Sequence, residues 1–222
     1  MANRAFEFSV DEYYHIYNRG TDKRLIFLDE YDRNRFQILL YLCNNKESIE
    51  MRLFQGKTIA EIFGHKRGEQ YVNVGSYCLM PNHFHILLHE KEENGISSFM
   101  TKLLTAYSMY FNKKYQRTGS LFEGKFKATH ADDDEYLKYL FSYIHLNPIK
   151  LLEPLWKERG ITNVERAEEF LKTYPFSSYV DFLGEQRSQL KILNPGVFPD
   201  YFSSPVDFEN IHKDRLIYKD IL

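Results

Sequence analysis

The chain predicts an α+β fold, an antiparallel β-sheet backed by helices. Residues 70–80 and His83–Glu90 read as two strands joined by a tight Pro81-Asn82 connection. Residues 13–20 form a third, aromatic-rich strand that ends in an Asn18-Arg19-Gly20 turn. Segments with helical apolar spacing separate and follow these strands; Phe36, Leu39, Leu40 and Cys43 mark one of them.

Taken in order, His15 in the first strand is a candidate to line a site, or simply a locally satisfied strand histidine. Asp29 can cap a helix to about Cys43. Residues 45–70 read as an insertion with a short helix at 57–63 and a solvated basic tip. In the strand at 70–80, strict alternation puts Val72, Val74 and Ser76 on one face. Ser97 can cap a helix to about Lys114, followed by an extended segment at 121–128. Asp132, Asp133 and Asp134 open a helix whose core stripe is Leu137, Leu140, Phe141 and Ile144. Pro148 disfavours helical geometry at Asn147, which predicts that this helix ends there. A further helix falls at about 163–172 and a short one before Leu183. Residues 1–184 are read as the main domain and 185–222 as a tail packed on it, with a helix over 207–222.

Composition narrows the class without naming a function. The hydrophobic and charged shares, 43% and 27%, are those of a soluble globular protein. The formal net charge of −2 does not announce a nucleic-acid binder. The aromatic share is high at 16%, which suits either a core or a base-stacking surface. Two cysteines without zinc-site spacing fit a reducing cytoplasm. Residues 1–10 lack a signal-peptide apolar segment, and no apolar run approaches a membrane span.

Two stretches carry the chemistry. In His83-Phe84-His85, residues two apart on a strand share a face, so both imidazoles can hold one metal ion while Phe84 packs on the other side. In Tyr143-Ile144-His145-Leu146-Asn147, residues four apart share a helix face. A divalent cation held by His83, His85 and the Asn147 amide oxygen would stabilise the charge that develops on a scissile phosphate, and Tyr143 could attack phosphorus. Each half is common elsewhere: His-x-His occurs in zinc hydrolases and plain cores, and Tyr143 and Asn147 could be a core-margin tyrosine and a helix cap. From Lys102 to Lys127 six basic residues (Lys102, Lys113, Lys114, Arg117, Lys125, Lys127) face one acidic residue, Glu123. With Arg19, they are candidate DNA-phosphate contacts, the alternative being a solvated helix face and loop.

Four segments in order strengthen the reading: the strand around Tyr14-His15-Ile16-Tyr17-Asn18-Arg19-Gly20, Met80-Pro81-Asn82-His83-Phe84-His85, Gly119-Ser120-Leu121-Phe122-Glu123-Gly124-Lys125-Phe126, and Tyr143 to Pro148. Over about residues 13–183 the chain resembles the REP-associated tyrosine transposases, of the single-tyrosine branch of the HUH endonucleases. Phe122 stands where many relatives have tryptophan. The resemblance implies a ferredoxin-like sheet and cleavage of single-stranded DNA near hairpins. It also implies a Mg²⁺ or Mn²⁺ site, with Tyr143 as nucleophile and His83, His85 and Asn147 as ligands. His15 and Glu123 are then candidates to support the ligands. Related insertion-sequence transposases act as dimers with the tyrosine supplied in trans, whereas the REP-associated group can act as monomers, so either state is compatible. Two other classes stay open: a hairpin-binding protein that does not need to cut, and a zinc hydrolase using His15, His83 and His85.

Overall fold

The computed structural model describes residues 7–217. Residues 1–6 and 218–222, and the expectations that fall on them, lie outside the described residues. Four strands, β1 (Tyr13–Arg19), β2 (Val72–Met80), β3 (His83–Glu90) and β4 (Lys127–His130), form an antiparallel sheet in the order β2-β3-β1-β4. Helix α1 (Glu30–Cys43) connects β1 to β2, and α3 (Gly95–Lys114) connects β3 to β4. This βαββαβ arrangement, with the two middle strands flanked by the outer pair, is ferredoxin-like. Between α1 and β2, the insertion holds a 3₁₀ turn (Met51–Phe54) and α2 (Ile59–Phe63), closed by a Thr58/Glu61 capping box.

Alternation along β3 assigns its two faces. Phe84, Ile86 and Leu88 point into the core under α1 and α3, where Phe84 meets Phe36 with ring centroids 5.1 Å apart. His83, His85, Leu87 and His89 point to the other face, covered by α4 (Asp134–Leu146). Asp29 caps α1 by accepting from Asp32 N, and Asp133 caps α4 by accepting from Tyr136 N. Helix α3 differs from expectation at its start. It begins at Gly95 behind a left-handed Asn94, and Ser97 lies inside it. The buried Glu90 carboxylate takes the cap's place, accepting from Ile96 N.

The strict alternation expected along β2 fails at Gly75. A register shift between Val74 and Ser76 puts Val74 opposite Leu88 but Ser76 opposite Leu87. Val72 and Val74 therefore face α1 and α3, while Ser76, Cys78 and Met80 face α4. A glycine suits this bulge because a Cβ there would lie 2.7 Å from the Phe198 ring. The extended segment at 121–128 is likewise mostly loop, with the strand starting only at Lys127.

Beyond α4 the chain keeps helical dihedrals through Asn147 (φ −53°, ψ −38°) and Pro148, against the expected break. Lys150 N donates to Asn147 O and Leu151 N to Pro148 O, which carries the backbone into α5 (Ile149–Leu152). Helices α6 (Trp156–Arg159), α7 (Val164–Thr173), α8 (Tyr179–Phe182) and α9 (Pro205–Ile217) follow. Leu146, Ile149, Trp156, Leu171, Tyr179 and Phe208 gather them into a second apolar cluster. The segment before α8 and the tail also cover the outer edge of β2: Leu79 N donates to Phe176 O, and Asn194 N to Val74 O.

Candidate functional site

The site is built where the C-terminal end of β1 and the N-terminal end of β3 meet α4. Direct antiparallel pairing sets Tyr17 opposite His85 and Arg19 opposite His83. Each of these pairs projects to the face covered by α4. A cavity of about 340 Å³ opens there, lined by Tyr17, Asn18, Arg19 and Lys23, by Asn82, His83 and His85, and by Glu123, Lys127, Tyr143 and Lys150.

Both candidate ligand histidines have their Nδ1 atoms engaged. His83 Nδ1 lies 2.7 Å from Asn82 Oδ1. Asn82 Nδ2 donates to Lys23 O at 3.2 Å, which fixes the amide orientation. The amide oxygen can only accept, so His83 Nδ1 carries the proton and Nε2 keeps its lone pair. His85 Nδ1 lies 2.8 Å from His15 Nε2. If His85 donates in that bond, its Nε2 is likewise a free lone pair. Burial lowers the pKa of His83 to about 4, helped by the Lys150 and Arg19 charges. Burial alone takes His15 to about 4; burial, with smaller contributions from neighbouring histidines and lysines, holds His85 well below its usual range. All three imidazoles are therefore neutral near pH 7, the state a metal ligand requires.

Tyr143 converges on this group from α4 of the same chain. Its ring centroid lies 5.5 Å from that of His85 and 5.6 Å from that of His15. Tyr136 and Tyr139 continue the ring row along the same helix flank. Burial raises the Tyr143 phenol above its ordinary pKa, and the Asn147 side chain works against that shift. Asn147 is buried and does not line the cavity; its Nδ2 donates to Tyr143 O at 2.7 Å. Its Oδ1 is buried with no hydrogen-bond partner among the described residues. Two neutral imidazoles in the cavity wall and an orphaned carboxamide oxygen one helical turn beyond Tyr143 are donor types that suit a divalent cation. No cluster of three His, Cys, Asp or Glu side chains suited to a metal occurs among the described residues.

The candidate DNA-binding cations separate into two sets. Arg19 and Lys127 line the cavity, and Lys125 is exposed two residues before Lys127. Arg19 forms a two-pronged pair with Glu123, which gives Glu123 a place in the cavity wall rather than against a histidine. Lys102, Lys113 and Lys114 lie on α3, with Arg117 just beyond it, and α3 packs on the opposite face of the sheet. Lys102 donates to Asn45 O and Glu47 O. Lys114 pairs with Asp29 and with the buried Asp32, which also accepts from Tyr110 and Tyr115. One continuous basic groove from Lys102 to Lys127, as the linear charge suggests, is therefore not formed.

Asn18, Lys23 and Asn82 line the cavity without having been candidates, and three further residues at the site also escaped the sequence reading. Tyr17 had a signal, since it alternates with His15 on the same strand face. Lys150 had one too, lying seven residues after Tyr143 and so on the same helix face once the helix continues through Pro148. Lys157, whose Nζ sits 4.4 Å from the Tyr143 ring centroid, had none, because only tertiary packing brings it there.

An antiparallel sheet thus sets two neutral imidazoles and a phenol around one cavity with basic side chains in its wall. The Transposase IS200 like family model matches residues 10–147, and the chain belongs to that family of DNA-processing enzymes. The chain is also similar to a solved "REP associates tyrosine transposase bound to a REP hairpin", with 12% identity, 92% of each chain covered and a TM-score of 0.48. No curated protein matches the chain. No helix among the described residues is long and apolar enough to cross a membrane.

Proposed function

We propose that this transposase-family protein nicks and rejoins single-stranded DNA near hairpins, through a 5′-phosphotyrosine at Tyr143. The observation that carries the reading is the convergence, within one chain, of the Tyr143 ring on His85 at 5.5 Å, both in the wall of one cavity. With Tyr143 and the histidines brought together by one chain, this reading needs no tyrosine from a second subunit.

His83, His85 and Asn147 would hold Mg²⁺ or Mn²⁺, with His15 fixing the His85 tautomer. When bound, the cation supplies electrostatic stabilisation to the charge that develops on the phosphate oxygens. The protein's own side chains do the rest. Arg19 and Lys127 attract the DNA backbone to the cavity mouth. Tyr143 is held by α4 with its ring against the histidines, so that its oxygen meets the phosphorus. The phenol loses its proton, the Tyr143 O–P bond forms, and the P–O3′ bond breaks. The departing 3′ oxygen takes up a proton and the 5′ phosphate stays on the enzyme. A new 3′-hydroxyl reverses the sequence, so strands are exchanged without a nucleotide cofactor.

The test is to incubate the protein with Mn²⁺ and a labelled hairpin oligonucleotide with a single-stranded flank. A covalent protein–DNA band that disappears in Tyr143→Phe is the expected result. Tight binding with no adduct from the wild type would favour a hairpin-binding protein that does not cut.

A further inference from the structure

We propose that Lys157 is a positioning residue for Tyr143, holding a positive charge over the face of the nucleophile's ring. This rests on the reading that Tyr143 attacks DNA. Lys157 lies beyond residues 10–147, the stretch that matches the family model.

The geometry is that of a cation on an aromatic face. Lys157 Nζ is 4.4 Å from the Tyr143 ring centroid and 5.6 Å from that of Trp156. A ring face carries negative electrostatic potential, so the ammonium attracts it and restrains its orientation. The support is rigid. Trp156, one residue earlier on α6, is buried in the cluster with Leu146, Ile149 and Leu171, which ties α6 to the end of the tyrosine helix.

The ammonium is also poorly compensated. Lys157 is half-buried and forms no salt bridge among the described residues. Burial and the Lys150 charge lower its pKa to about 8, against a smaller opposing pull from Glu158. The titratable groups that face it are Tyr143 on α4, Lys150 on α5, Glu158 on α6 and His85 on β3. A partly desolvated charge without a carboxylate gains most when something beside it turns negative. The group packed against it is the phenol, which must carry negative charge as it attacks. Lys157 therefore favours the reacting form of Tyr143 over its resting form, which is the property that raises a rate rather than an affinity. Lysine addresses the ring face here, so its role is charge and orientation, not proton removal.

The experiment compares Lys157→Met with Lys157→Arg in the full chain, using Mn²⁺ and the hairpin oligonucleotide. At saturating DNA, Lys157→Met is expected to slow single-turnover adduct formation by about 10-fold or more, with hairpin affinity within about twofold of wild type. Lys157→Arg keeps the charge and should recover most of the rate. A Lys157→Met rate equal to wild type, or an arginine variant as slow as the methionine one, overturns the proposal. A second readout needs no catalysis: the Tyr143 ¹³Cζ resonance of the free protein, assigned by its loss in Tyr143→Phe. It should move in Lys157→Met and stay near wild type in Lys157→Arg; a resonance indifferent to both changes overturns the placement of the charge. Failure of the wild type to form any adduct would instead overturn the transposase chemistry, and the resonance would still decide on Lys157.

Discussion

His15 Nε2 and His85 Nδ1 lie 2.8 Å apart, one imidazole hydrogen-bonded to the other with both neutral. Only one proton sits in that bond, so the tautomer of His15 decides which nitrogen of His85 keeps a lone pair. A cation on His85 Nε2 requires His85 to donate and His15 to accept. His15→Phe removes the acceptor while keeping an aromatic ring. We expect its Mn²⁺ affinity, measured by titration calorimetry, to fall by about 10–100-fold. Adduct formation should return in part at high Mn²⁺.

Asn147 gives a second test of the metal site. Its Nδ2 is used on Tyr143 O, whereas its Oδ1 has no partner. Asn147→Asp preserves an oxygen donor and adds charge, so it should retain Mn²⁺ binding; Asn147→Ala should lose it. Equal binding by the alanine variant and the wild type would remove Asn147 from the ligand set.

The division of the basic residues predicts two different phenotypes. Arg19→Gln removes a cation from the cavity wall, so the salt dependence of single-strand binding should flatten by about 0.7 in log–log slope. Lys114→Gln removes the partner of the buried Asp32. It should instead cost about 1–3 kcal/mol in urea unfolding and leave the salt slope unchanged.

Acid stability follows from the second apolar cluster. Burial lowers the His212 pKa to about 3, and His145 beside it is also held well below its usual range. The unfolded chain binds protons on these residues below about pH 6.5 while the folded chain does not. The contribution of these two histidines to folding stability is therefore complete above pH 6.5 and is lost as pH falls toward the folded values. The slope is at most about 1.4 kcal/mol per pH unit for each histidine. His212→Phe should flatten the decline seen in thermal or urea unfolding between pH 6 and 4.

The bulge at Gly75 makes a packing prediction. A Cβ there meets the Phe198 ring at 2.7 Å, so Gly75→Ala should destabilise by about 1–3 kcal/mol. In a Phe198→Ala background the added methyl has room, and the penalty should largely vanish in the double-mutant cycle.

Strands β1 and β3, helix α1, the start of α4 and the approach of Tyr143 to His85 were legible because short-range rules govern them. Residues two apart set the faces of β3, and capping aspartates mark α1 and α4. Chain features that depend on distant partners were not. The bulge at Gly75 has no room for a side chain because Phe198, far along the tail, lies over it. Lys102 and Lys114 on α3 look like part of a DNA surface until the Asn45 and Glu47 carbonyls and Asp32 meet them. Helical dihedrals persist at Asn147 because the following turn bonds around Pro148, a choice that the proline preference alone argues against.

In the proposed reaction Tyr143 carries the DNA. The decisive measurement is tryptic mass spectrometry of the adduct formed with Mn²⁺ and a hairpin oligonucleotide, with fragmentation of the peptide spanning 139–150 to locate the nucleotide. The added mass is expected on Tyr143, separated from Tyr139 in the same peptide. An adduct on another residue, or one that persists in Tyr143→Phe, would contradict it.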